Sequence, residues 1–92
     1  MAVTRLLIRG PRVQGVGFRW WIVQTATRLG LDGWVRNRND GSVELLAAGA
    51  AKALDQLEAA CRQGPSGARV SEVTTLPARE EPPAGFRARP TA

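Results

Sequence analysis

The sequence predicts an α+β fold: an antiparallel sheet with two helices packed on one face, in the order β-α-β-β-α-β. Three observations lead there. Two stretches of helical period, residues 18–29 and 49–62, are flanked and separated by short β-type runs. Asp40-Gly41 sits between two of those runs, and that dipeptide is a strong hairpin signal. The 92 residues contain no repeat, no low-complexity tract and no linker-like stretch, so 1–92 reads as one domain with a modest core.

Residues 3–9 form the first strand, with Leu6 and Ile8 on one face, although Leu7 breaks a clean alternation. Residues 10–17 are a loop. Phe18, Ile22, Ala26 and Leu29 then recur on one helical face, and Gly30 is placed to end the helix in a left-handed conformation. Residues 31–37 make a second strand containing Trp34 and Val35, followed by the turn cluster 37–41. Residues 42–48 make a third, with Val43, Leu45 and Ala47 on one side. In the second helix Ala50, Leu54, Leu57 and Cys61 share a face, and Gly64-Pro65 stops it. Residues 69–76 are strand-like, though Val70 and Val73 do not alternate. A proline-bearing loop, 77–85, leads to a short closing strand at 86–89.

Two split β-α-β units of this kind build the ferredoxin-like arrangement. The first and second strands then run in the same direction with the third antiparallel between them. Their C-terminal ends share one rim, separated by two strand spacings, roughly 10 Å. The loop at 13–18 leaves one of these ends and Asn37 closes the other, so Arg19 and Asn37 can reach one small ligand.

The loop has the make-up of an anion cradle. Gly15 and Gly17 allow close backbone approach. The amides of Gln14, Gly15, Val16, Gly17 and Phe18 face the mouth of a helix, where orphan N–H groups and the dipole favour negative charge. Arg19 adds a planar fork of donors suited to phosphate oxygens. Taken singly these residues are ordinary: a strand–helix connection, a surface arginine, and in Asn37 a turn former. Trp20, Trp21 and Trp34 read as packing residues, and Arg12, Arg36 and Arg38 as solvated charges.

Composition removes several function classes. There is no histidine, which excludes His-based triads, ligands and general bases. The carboxylates have no metal-motif spacing, so no metal is expected. Cys61 is the only cysteine and lies on an apolar helix face, which makes it a buried inert thiol and not a nucleophile. No apolar run is long enough to span a bilayer, and Leu6-Leu7-Ile8 between two arginines is too short for a signal-peptide core. No membrane association and a cytoplasmic setting are therefore expected, with a monomer as default. The net charge is +5, and all thirteen basic side chains but Lys52 are arginine. Such a balance attracts anions, although an arginine-favouring genome accounts for most of it.

Val13-Gln14-Gly15-Val16-Gly17-Phe18-Arg19, taken with Gly33-Trp34-Val35-Arg36-Asn37 and Asp40-Gly41-Ser42-Val43-Glu44 up to Gly49, resembles the paired signatures of the acylphosphatase family. Gly64-Pro65 and Ala68-Arg69-Val70 fit as well, and the resemblance is weakest over 77–92. It departs at Pro11, where the family usually has glycine, and at Arg9, where it has an aliphatic residue. The resemblance implies a ferredoxin-like hydrolase, working without a cofactor, that splits small acyl phosphates into a carboxylate and phosphate. It implies that Arg19 and the loop amides grip the phosphoryl group and that Asn37 orients the attacking water.

Two other readings share the element order. RNA-recognition modules stack bases on aromatics of the central strands, and residues 3–9 and 42–48 carry none, so no nucleic-acid partner is expected. A non-catalytic anion-binding or carbamoyl-phosphate-binding domain of a larger enzyme is the second.

Overall fold

The computed structural model describes residues 2–92. The order is β1 (Ala2–Arg9), α1 (Phe18–Arg28), β2 (Asp32–Asn37), β3 (Val43–Gly49), α2 (Ala51–Gln63), β4 (Glu72–Leu76) and β5 (Phe86–Ala88). The strands form one sheet in the spatial order β4-β1-β3-β2-β5. β3 is antiparallel to both β1 and β2, and β4 is antiparallel to β1. The two helices cover one face, α1 over β2 and β5, and α2 over β1, β3 and β4.

The expected antiparallel sheet is therefore corrected in one respect: it is mixed, because β5 runs parallel to β2. Residues 77–85 carry the chain from the β4 edge to the opposite edge, where Asp32 anchors the arrival by accepting from Gly85 N–H at 2.8 Å. The strand expected at 69–76 starts later, at Glu72. Arg69 stays opposite Arg12 as an isolated bridge, the two exchanging backbone hydrogen bonds at 2.8 and 3.4 Å. The second helix starts at Ala51, and Ala53, not Ala50, joins Leu54, Leu57 and Cys61 in the core.

The core lies between sheet and helices. Leu6, Leu45 and Val35 are cross-strand partners in one row, buried against Phe18, Ile22, Leu54 and Leu57. α1 ends as its sequence requires: Gly30, at φ 74°, donates to Thr27, and Leu31 donates to Ala26, the paired bonds of a Schellman cap. Cys61 is buried, and burial followed by nearby Glu58 pushes its thiol up to about 12, so it stays protonated and unreactive.

The helix-free face carries the opposite residues of the same strands. Arg5 from β1 and Arg36 from β2 converge on Glu44 of β3, which is fully buried. Arg5 Nε donates to it at 2.6 Å, Arg36 Nε at 2.8 Å and Arg38 Nη1 at 3.4 Å. Trp34 lies beside this cluster, 4% exposed, with the guanidinium groups of Arg36 and Arg89 at 4.9 and 4.7 Å from its ring centroid.

Burial pushes the Glu44 carboxyl up, but the hydrogen bonds from Arg5 and Arg36 outweigh it and hold the group below its usual 4.5. Its contribution to stability is thus present above that value and lost as pH falls through the lower folded one. Glu44→Gln should lower unfolding free energy at neutral pH by about 1–3 kcal/mol. In urea titrations from pH 7 downward, the gap between variant and wild type should narrow on acidification below 4.5.

Candidate active site

β1 and β2 point the same way, so Arg9 and Asn37 end at one rim of the sheet, with β3 entering between them. The loop 10–17 turns over this rim and delivers α1. Gly15 and Gly17 both sit at φ 76°, a region that side-chain-bearing residues rarely adopt. Gly17 is the N-cap of α1 and supplies no side-chain cap. The first bond of the helix is Trp21 N–H to Gly17 C=O at 3.0 Å, which leaves the earlier amides outside the helical ladder. Among the described residues, the N–H groups of Gln14, Gly15, Val16 and Gly17 have no hydrogen-bond acceptor in the protein.

A cavity of about 230 Å³ opens at this place, lined by Gln14, Gly15, Gly17, Arg19, Trp20 and Asn37. Val13 and Phe18, both almost wholly buried, form its floor. Drug-sized ligands take roughly 300–1,000 Å³, so this volume suits a small one. The loop glycines, Arg19 and Asn37 singled out in the sequence therefore border one concavity. Val16 is not among its lining residues and packs instead against the core.

Three sets of contacts brace the site. Gln14 is the first. Its side-chain Nε2 donates to Arg38 C=O and to Ser42 C=O, each at 2.8 Å, tying the loop to the hairpin that follows Asn37. What Gln14 can offer an anion is thus its backbone N–H. The second is the hairpin tip, where Asp40 accepts from Ser42 Oγ at 2.5 Å and from Ser42 N–H at 2.9 Å. These bonds, with Arg38 and Arg9 nearby, hold the Asp40 carboxyl below its ordinary value.

The third is the C-terminal stretch. Arg89 N–H donates to Val35 at 2.8 Å, and its carbonyl accepts from Arg19 Nη1 at 3.3 Å. Ala92 N–H donates to Asn37 C=O at 3.1 Å, and Ala92 C=O accepts from Asn39 at 2.9 Å. Residues 89–92 thus run along β2 to the rim and touch both Arg19 and the backbone of Asn37. Nothing in the sequence signals these contacts, because on the side of residues 89–92 backbone atoms make them.

Of the tryptophans, Trp34 is buried, and Trp21 packs edge-to-face on Phe18 at 5.5 Å and 87°. Trp20 departs from the packing role expected of it: it is 66% exposed and borders the cavity. Among the described residues, no three His, Cys, Asp or Glu side chains group as metal ligands.

The residues that border the cavity carry one guanidinium, backbone amides at a helix N-terminus and a carboxamide. This arrangement can bind a phosphoryl-sized anion and hold a neutral molecule beside it.

A model of the acylphosphatase family matches residues 4–88. An acylphosphatase of Nitrobacter hamburgensis is 57% identical over 75 residues, 82% of this chain and 75% of that one. An acylphosphatase of Acidiphilium cryptum is 52% identical over 91 residues, 97% of this chain and 98% of that one. The crystal structure of acylphosphatase from Bacillus subtilis superposes with a TM-score of 0.89 at 36% identity, covering 97% of this chain and 99% of that one.

Removing the Gln14 carboxamide frees two carbonyls that join loop and hairpin. Gln14→Ala should cost roughly 1–3 kcal/mol of stability. In urea the midpoint should drop with an unchanged m-value, as befits a lost native contact.

Proposed function

The chain belongs to the acylphosphatase family, enzymes that hydrolyse acyl phosphates, and on that premise we propose how its residues divide the reaction. Arg19 and the backbone amides of residues 14–18 bind the phosphoryl oxygens. Asn37 holds the attacking water through its carboxamide. The water oxygen bonds to phosphorus as the bond from phosphorus to the acyl oxygen breaks. The bonding pair leaves on a carboxylate, and the water proton passes to a phosphoryl oxygen of the substrate itself.

The observation that carries this division is the shared cavity at a helix N-terminus, bordered by Arg19, the loop and Asn37. Its chemistry favours the same substrate class. An alkoxide leaving group needs a proton or a metal, whereas a carboxylate, with a conjugate acid near pKa 4–5, needs neither. Phosphoryl transfer passes through a loose transition state with charge on the equatorial oxygens, so fixed positive groups can carry the catalysis. We extend the reading to a monomer acting on a small molecule, without nucleic acid. Trp34, the aromatic of the helix-free face, is 4% exposed and has the guanidinium groups of Arg36 and Arg89 over its ring, which supports the last point. A cytoplasmic setting belongs to the same proposal; among the described residues no helix is long and apolar enough to cross a membrane.

The direct test is release of phosphate from acetyl phosphate, which should proceed equally with and without a chelator. Arg19→Ala should lose at least ~10²–10³ in rate and bind phosphate far more weakly. Asn37→Ala should lower kcat with KM largely kept, because it acts on the water. An equal loss of affinity in that variant would make Asn37 a ligand-binding group. With no histidine, the rate should be flat between roughly pH 5 and 7. A steep titration there in the folded protein would reveal a proton donor outside this scheme.

A further inference from the structure

The cavity has two chemically different sides. One is polar: the loop amides, Arg19 and Asn37. The other is the indole of Trp20, the one large hydrophobic side chain exposed among the described residues. The other apolar residues at the cavity, Val13 and Phe18, are 2% and 1% exposed and offer a ligand little surface.

The first turn of α1 explains why Trp20 stands out. Phe18 turns into the core, and Trp21 lies against Phe18. Successive helical residues are about 100° apart, so Trp20 is rotated by roughly 200° from Phe18 and cannot join it. The indole contributes little to the core, and its exposed area borders the place where the substrate must lie.

An acyl phosphate has two ends. With its phosphoryl group on Arg19 and the amides, the acyl group projects out of the cradle, away from the incoming water. Arg19 is the only charged side chain lining the cavity, and it is occupied by the phosphoryl end. Trp20 is the lining side chain left to receive the acyl group. We propose, resting on the reading above, that Trp20 forms the acyl-side wall and that preferred substrates carry a flat apolar acyl group with no second charge.

Stacking on this wall acts on bound substrate and transition state alike, so it should appear in KM more than in kcat. The test measures kcat/KM of wild type, Trp20→Ala and Trp20→Phe with three substrates: benzoyl phosphate, acetyl phosphate and succinyl phosphate, whose acyl group has a second carboxylate. Wild type should prefer benzoyl phosphate over both others. Trp20→Ala should reduce the benzoyl-to-acetyl ratio by about 3- to 10-fold, mainly through KM, and Trp20→Phe should retain most of it. An unchanged ratio in Trp20→Ala, or equal use of succinyl and benzoyl phosphate by wild type, overturns the proposal. Because the ratio is read on a chain that turns over acetyl phosphate, such a result leaves the hydrolase reading standing. A chain inert towards all three overturns both.

Discussion

β3 lies between β1 and β2, antiparallel to both, and the site depends on that placement. It makes β1 and β2 co-directional, so the strand that feeds the loop and the strand that carries Asn37 finish level. The register is held from both faces. Leu6, Leu45 and Val35 share a row on the helix side, while Leu7, Glu44 and Arg36 share one on the other. A slip of one residue would turn every side chain of β3 over. Glu44 would enter the apolar layer and lose Arg5 and Arg36, one from each flanking strand. A buried carboxylate with a partner on either side is a modest source of stability, but its loss on slippage makes the wrong register expensive.

The rim built in this way still has two independent parts, the loop and the hairpin. They are joined crosswise. Gln14 reaches from the loop to the hairpin carbonyls, and residues 89–92 reach from β5 along β2 to Arg19 and Asn37. Both ties use polar groups that a short chain must satisfy anyway. The hydrogen bonds that close its loops thereby also fix the spacing between the loop before α1 and Asn37.

Much of this was legible beforehand, for local reasons. The helices announced themselves by period and by Gly30 and Gly64 at their ends, and the hairpin by Asp40-Gly41. Element order then implied which strand ends meet, and with it the nearness of Arg19 to Asn37. What escaped was set by tertiary contact. Three residues, Phe86–Ala88, are too few to show a period, and their parallel pairing is decided by which edge remains open. The interruption of the ladder at 69–71 has no signal in those residues; it lies in how they meet 9–12, where Ser71 N–H turns to Arg9 C=O. The brace made by Gln14 has no signature, since a glutamine beside a glycine loop suggests equally a ligand contact. The exposure of Trp20 was readable: Phe18, Trp20, Trp21 and Ile22 cannot all face one way in a helix, and the buried pair Phe18 and Ile22 defines the face that leaves Trp20 out.

The side chains whose ionisation is displaced are also informative about chemistry. Asp40 and Glu44 are both held below their ordinary values, the first chiefly by Ser42, the second by arginines that overcome its burial. Cys61 is displaced the other way, to about 12. Each of these groups is moved away from neutrality, and each is engaged in holding the hairpin, the register or the core. None is poised to give or take a proton near pH 7, the usual mark of a general acid or base. On the proposed reading, the positive groups of the site are Arg19 and the peptide dipoles of the loop. Catalysis of the proposed kind lowers the barrier by where charges sit and calls for no proton donor to the departing oxygen. It works when the leaving group is already content as an anion, which is the property that separates a carboxyl–phosphate anhydride from an ordinary phosphate ester.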